Sequence, residues 1–349
     1  MDTRVCRLHG QGDIRIERES IAAPGPGEAL VAVGVGGICG SDLHYYQDGG
    51  FGTIRVREPI ILGHEASGTV LEIGSDCGAV KPGDRVAINP SRPCGVCRYC
   101  RDGLRIHCLA MRFSGSAMRM PHEQGLFRDR ILVDAAQCVP VGSTVSLAEA
   151  ACAEPLAVCL HARDAAGTLE GKRVLVTGAG PIGALCAGLA AEAGAAAVVV
   201  TDLCDFTLDV ARRMGASETV NVGAASDAMA RFEADKGWFD VAFECSAAAP
   251  AIRTAIACLR PRGVLVQVGV AGDTPVPLNF LVSKEITHIG SQRFDSEFAQ
   301  AVAMIAERRI DVSQILTGRF PLERAVEAFA AAADRTSAVK IQLEFDPVG

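Results

Sequence analysis

The stretch RVLVTGAGPIGALCAGLAAEAGAAAVVVTD, residues 173–202, decides the fold. Arg173–Thr177 is a short apolar, β-branched run, which predicts a buried strand. It leads straight into Gly178-Ala-Gly180-Pro181-Ile182-Gly183, then into an alanine-rich helix ending near Gly194; a second strand, 197–201, finishes at Asp202. Strand, G-x-G-x-x-G, helix, strand and acid in this order bind dinucleotides. The three glycines allow the tight turn, the approach of a diphosphate and close helix–strand packing, while Pro181 and Ile182 open the helix. The helix amino terminus offers free N–H groups and the positive end of its dipole. Asp202, nineteen residues past Gly183, can accept from the adenine ribose hydroxyls and would repel a 2′-phosphate. No Lys or Arg between Leu203 and Ala211 would neutralise such a phosphate, so NAD is expected rather than NADP.

Downstream, strands are expected at 240–244, 263–269 and 286–289, with a helix over 250–259 ended by Pro261-Arg262-Gly263. Strands alternating with helices at this spacing mean a doubly wound parallel sheet. Beyond Gly290 come a helix over 297–307, another opening at Pro321, and a last strand over 338–345. Upstream the style differs. Short alternating runs at 5–16, 29–35, 67–73, 85–89 and 129–133 are punctuated by Gly and Pro, as in Pro24-Gly25-Pro26-Gly27, which argues for a partly closed β domain. The change comes after Glu154-Pro155, where a helix over 156–166 begins.

Two clusters in the upstream part carry metal chemistry. Gly37-Ile38-Cys39-Gly40-Ser41-Asp42-Leu43-His44 and Gly63-His64-Glu65 bring a thiol, an imidazole and carboxylates into two short loops. Cys39, His64 and an acid suit Zn²⁺ with a fourth position left for water or substrate. Ser41 and His44 could carry the proton of an acidified hydroxyl to solvent. The second cluster, Cys94, Cys97, Cys100 and Cys108, has the spacing C-x₂-C-x₂-C-x₇-C. Four thiolates so close can complete a tetrahedral shell with no open position, the mark of a structural zinc.

The 349-residue chain is long enough for two domains, and 34 basic against 41 acidic residues give a net charge of −7. No basic footprint favours nucleic acid or an anionic membrane. No apolar run reaches the roughly 18 residues of a membrane span, and the amino terminus carries no signal peptide. Fourteen cysteines without an export signal suggest a reduced, cytoplasmic, metal-binding protein rather than a disulfide frame.

The order of these motifs resembles the zinc-containing medium-chain dehydrogenase/reductase superfamily across essentially the whole chain. Ala153-Glu154-Pro155 makes it most similar to the polyol dehydrogenase branch, which places a glutamate where alcohol dehydrogenases place a cysteine ligand. The resemblance implies an α/β protein in which a Rossmann doubly wound parallel sheet is inserted in a GroES-like β-rich catalytic domain. Residues 1–154 would form that domain with its zinc lobe, 155–289 the NAD-binding domain, and 290–349 the return to the catalytic domain. It implies one catalytic Zn²⁺ held by Cys39, His64 and either Glu65 or Glu154, and one structural Zn²⁺ in the four-cysteine lobe. Ser41 matches the family's proton-relay hydroxyl, and Asp42 its partner to the zinc-bound histidine. A homo-oligomer, tetramer or dimer, is implied as well.

A narrower likeness lies in Asn89-Pro-Ser-Arg-Pro-Cys94 and in residues 111–125, which resemble L-idonate 5-dehydrogenases. These oxidise C5 of a sugar acid to 5-keto-D-gluconate. Such a substrate needs a cation for its carboxylate, and Arg112, Arg119, His122 and Arg293 are the candidates. The expected reaction is reversible, NAD-linked oxidation of a secondary alcohol of a small sugar acid. The rivals are a sorbitol- or xylitol-type dehydrogenase, an L-threonine dehydrogenase, and a non-enzymatic NAD-binding redox sensor.

Overall fold

A computed structural model describes all residues except 79, 226, 271 and 347–349. The chain opens with the antiparallel pair β1 (Asp2–Gly10) and β2 (Asp13–Ser20), then enters β3 (Glu28–Gly37). β3 is buried along nearly its whole length because other strands cover both of its edges. The helix α1 (Gly40–Asp48) follows at once, and β4 (Glu65–Ile73), β5 (Arg85–Ile88), β6 (Arg130–Asp134) and β7 (Cys138–Pro140) complete the first run of strands. Their pairings are antiparallel, which lets short Gly- and Pro-containing turns join them.

From α2 (Ala153–Ala166) the chain alternates strand and helix: β8 (Arg173–Thr177), α3 (Pro181–Glu192), β9 (Ala197–Asp202), α4 (Asp205–Arg213), β10 (Glu218–Asn221), β11 (Phe239–Glu244), α5 (Ala249–Cys258), β12 (Leu259–Gln267), α6 (Leu278–Ser283) and β13 (Thr287–Gly290). The sheet runs β10-β9-β8-β11-β12-β13, with every pair parallel. That order reverses between β8 and β11, so the crevice at the carboxyl ends of those two strands is the natural ligand position.

The chain then returns. After α7 (Glu297–Ala306), β14 (Leu316–Pro321) and β15 (Lys340–Glu344) pair in parallel across α8 (Ala325–Ala333), and β15 lies against β3. The resulting seven-stranded sheet has the order β7-β5-β4-β3-β15-β14, with β6 also on β3. Both ends of the chain therefore build one β-rich unit, and the parallel sheet is inserted between them. One apolar cluster joins the two, running from Ala87 and Val141 to Val174, Leu185 and Val241.

Two local expectations differ from the structure. β12 starts at Leu259, not 263: its pairing with β11 jumps from Phe239↔Leu259 to Val241↔Val264, and the intervening residues bulge. Pro261 has no N–H to give a ladder, and Arg262 takes φ +61°, so the bulge absorbs what reads in sequence as a turn. Pro321 closes a strand and also caps the short 3₁₀ turn Leu322–Arg324, so the α-helix expected to open there begins only at Ala325. β14 is an edge strand, where a Gly and a Pro are tolerated and leave no strand signal in the sequence.

Candidate metal centre and cofactor crevice

β3 ends at Gly37, and its antiparallel register sets Gly37 opposite Glu65 at the start of β4. A Cβ on Gly37 would collide with the Glu65 carboxylate, so glycine is what lets that side chain lie across the strand end. Two residues on, Cys39 is the N-cap of α1, and a reciprocal capping box with Asp42 fixes it there. Asp42 is fully buried, and its carboxylate accepts from Cys39 N at 3.0 Å and from Gly63 N at 3.1 Å. It thereby ties together the two loops that carry the donors, and it stands 3.9 Å from Nδ1 of His64.

Donor atoms of Cys39, His64 and Glu65 all lie within 4.8 Å of one another. Burial, then the Glu65 carboxylate, pushes the Cys39 thiol up to about 11. Glu154, in the first turn of α2, lies outside that donor group but in its field: burial raises it to about 8, helped by Glu65 and Cys39 and opposed by His64. A thiol, an imidazole and a carboxylate gathered in a buried place fit a divalent zinc, whose charge would offset what burial does to these groups. Glu65 has a second partner. Nζ of Lys340, from β15, donates to both of its oxygens at 2.7 Å, and each side chain is 2% exposed. Burial works against the Lys340 ammonium, yet Glu65 and Cys39 hold it above its ordinary range.

The second cluster is also assembled. Sulfurs of Cys94, Cys97, Cys100 and Cys108 form one group within 4.8 Å, with Cys97 to Cys100 at 3.6 Å and Cys97 to Cys108 at 4.0 Å. Backbone N–H groups of Cys94 and Ala110 donate to the Cys108 sulfur at 3.2 and 3.4 Å. N–H bonds from Leu109 and Cys100 lower the Cys97 thiol to about 6. Such donors stabilise thiolates, and the set fits a closed tetrahedral zinc.

In the crevice, Gly180 is the N-cap of α3 and Pro181 its first residue. Gly178 has φ +88°, and a Cβ on Gly183 would overlap the Gly178 carbonyl, so the loop can turn tightly over the strand end only with glycine at these positions. Asp202 closes the loop from β9: it accepts from Ala179 N at 2.6 Å, Leu203 N at 2.7 Å and Cys204 N at 3.1 Å. This cradle fits a dinucleotide diphosphate with its ribose toward Asp202. A residue not anticipated from sequence, the fully buried Glu244 at the end of β11, braces the same floor. It accepts from Thr177 Oγ1, Ser246 N, Ala247 N and Gln267 Nε2.

The proton-relay candidates and the four candidate cations fall in different places. Ser41 is half-buried in the first turn of α1, and the exposed His44 one turn on bonds Asp48 at 2.9 Å and stacks on Phe51. His44, Phe51 and Arg55 face Val270 and Gly272 across a hollow of about 270 Å³. Arg293 faces the donor group's side of the molecule. Its guanidinium lies 4.0 Å from the centre of the Phe113 ring, which packs on His64 at 5.5 Å. Burial lowers Arg293, while Glu154 and Tyr45 act to raise it, and its backbone takes φ +54°. Arg112 pairs with Glu123 at 2.8 Å, and Arg119 donates to the carbonyls of Ala110 and Met111. Both ring nitrogens of His122 are engaged, Nε2 by Arg57 N and Nδ1 with the Arg119 carbonyl. Arg112 and His122 line a hollow of about 400 Å³ that includes none of Cys39, His64 or Glu65. Tyr45, Phe113 and Lys340 were legible only as apolar or charged residues in strands and helices, since what gives them a role is a contact made far away in sequence.

Comparison with known proteins agrees with this architecture. Residues 25–143 match the alcohol dehydrogenase GroES-like domain, and 181–307 match the zinc-binding dehydrogenase family. The chain is 41% identical to L-idonate 5-dehydrogenase (NAD(P)(+)) of Escherichia coli (strain K12), over 98% of this chain and 99% of that one. It is 37% identical to sorbitol dehydrogenase of Gallus gallus, over 97% and 95% of the two chains. The crystal structure of L-idonate 5-dehydrogenase from Escherichia coli superposes with a TM-score of 0.95, at 41% identity, covering 99% of each chain. With its GroES-like unit, inserted Rossmann sheet and two clusters that could each hold a metal, the chain belongs to the zinc-dependent alcohol and polyol dehydrogenases of the medium-chain superfamily.

Proposed function

We propose that this enzyme oxidises a secondary alcohol of a sugar acid with NAD⁺, reversibly, and that L-idonate, giving 5-keto-D-gluconate, is its substrate. The observation that carries the reading is the buried group Cys39, His64 and Glu65 with the cation Arg293 close by, stacked on the Phe113 ring that packs against His64. Its support for a sugar acid is the 41% identity to an L-idonate enzyme over nearly the full chain. Zinc held by Cys39, His64 and Glu65 would supply Lewis acidity that makes a substrate hydroxyl easier to deprotonate. Ser41 accepts that proton, and His44, its neighbour one helical turn on, releases it to solvent. The carbinol hydrogen leaves as hydride to the nicotinamide, so the products are a ketone, NADH and a proton. Arg293 receives the substrate carboxylate, and Glu154, the buried acid in its field, orients the polyol hydroxyls. Asp202 favours NAD⁺ through the adenine ribose. Cys94, Cys97, Cys100 and Cys108 hold a structural zinc, so the protein carries about two ions per chain, whereas a redox sensor built on that lobe alone would carry one.

The test is nicotinamide reduction with L-idonate and sorbitol in parallel, with NADP⁺ as a control. L-Idonate is expected to be turned over with NAD⁺, and Arg293→Ala to lower kcat/KM for it by about tenfold to a hundredfold, the scale of a lost charge-assisted contact. Turnover of sorbitol alone would overturn the sugar-acid reading and leave a neutral-polyol enzyme. Fourteen cysteines, none paired in a disulfide, suit the reducing cytoplasm, where the enzyme works as a homo-oligomer. Light scattering that finds only monomer would remove the last point.

A further inference from the structure

Arg335 lies in the loop between α8 and β15, a part of the chain that belongs to the seven-stranded sheet. Its guanidinium nevertheless reaches the glycine loop of the other sheet. A Cβ built on Gly180 would stand 3.0 Å from Arg335 Nη1 and 3.8 Å from its Cζ. The backbone is pinned to the same crevice, because the Arg335 carbonyl accepts from Cys204 Sγ at 3.2 Å, just past Asp202. Asp334 shapes the loop by accepting from Thr336 N at 3.0 Å, Thr336 Oγ1 at 2.6 Å and Ser337 Oγ at 2.7 Å. Arg335 itself is exposed, and among the described residues its guanidinium has no hydrogen-bond or ion-pair partner.

That placement is electrostatically incomplete. Gly180 is the N-cap of the twelve-residue α3, so the guanidinium is set beside the positive end of a helix dipole. The nearest fixed anion on this loop, Asp202, already accepts from three backbone N–H groups and makes no ion pair with Arg335. Two positive features held together without a counter-ion repel each other, and an anion between them turns that repulsion into attraction on both sides. The second glycine of the motif is where the backbone comes nearest the cofactor's diphosphate. We propose that Arg335 takes the dinucleotide diphosphate from the side opposite the α3 amino terminus, joining the β-rich unit to the Rossmann sheet through the cofactor. A cation contributed from outside the Rossmann unit would make diphosphate binding depend on how the two units meet. The inference rests on reading this crevice as the dinucleotide site.

Calorimetric titration of the full-length protein separates the two ideas. Wild type should bind ADP-ribose, and Arg335→Ala should weaken that binding by about tenfold at low ionic strength, with AMP affected much less, because a charge-assisted phosphate contact is worth at least this much. Arg335→Lys should recover part of the loss, and added salt should narrow the gap between wild type and variant. NADH and NADPH should be weakened by the same factor. A wild type that binds ADP-ribose with an unchanged Arg335→Ala variant overturns the proposal while leaving the crevice reading intact. Loss confined to NADPH would assign the arginine to a 2′-phosphate and overturn it equally. A wild type that binds no ADP-ribose ends both. Since the guanidinium is exposed and unpaired, thermal unfolding of the variant should match wild type and exclude a folding defect.

Discussion

Replacing Cys39 with serine is expected to lower the zinc content from about two ions per chain to about one and to reduce turnover by at least about a thousandfold. Serine suits the local fold. Cys39 is the N-cap of α1, a position where serine is among the preferred residues, and the Asp42 half of the capping box is untouched. What serine cannot supply is a soft, ionisable donor. Even the thiol is raised to about 11 by burial and Glu65, and a hydroxyl in that place stays neutral. The loss should therefore be confined to the metal and the chemistry, with an unfolding midpoint close to that of wild type after chelation. The remaining ion should resist the substitution, because Cys94, Cys97, Cys100 and Cys108 complete their own group without Cys39. Metal analysis and steady-state kinetics on the same preparation decide the matter. A serine variant that keeps wild-type turnover with a single zinc would remove Cys39 from the catalytic centre.

The elements best read from sequence were those whose signal is local. The strand, G-x-G-x-x-G and helix at 173–192 need no distant partner, because turn chemistry and helix capping are written in adjacent residues. The four-cysteine lobe is legible for the same reason: its ligands fall within fifteen residues. The residues that complete the crevice and the metal centre come from afar. Lys340 reaches Glu65 across 275 positions, Arg293 meets Phe113 from beyond the parallel sheet, and Glu244 collects donors from the ends of β8 and β12 as well as from its own turn. No periodicity announces such contacts; they exist only once β15 has paired with β3 and the two ends of the chain have closed on each other. Arg112, Arg119 and His122 show the converse. Their charge reads as substrate recognition, yet in the structure each is engaged with Glu123 or with backbone groups.

Lysine 340 offers the other large effect, and it bears on which carboxylate serves the metal. Lys340→Met keeps most of the apolar stem but leaves Glu65, 2% exposed, without its ammonium partner. Breaking a buried pair by removing one member costs about 3–5 kcal/mol, since the remaining charge is stranded. The Ile38 carbonyl, which accepts from the same Nζ at 3.1 Å, is stranded with it. That full loss is expected in protein stripped of metal, measured by denaturant unfolding. In zinc-loaded protein the loss should be clearly smaller, because Glu65 belongs to the donor group with Cys39 and His64 and can turn to the ion instead. Replacing both members, as Glu65→Leu with Lys340→Met, should recover much of the stability of the stripped protein while activity stays lost. If instead Lys340→Met costs the same with and without zinc, Glu65 belongs to the lysine alone, and the third protein ligand passes to Glu154.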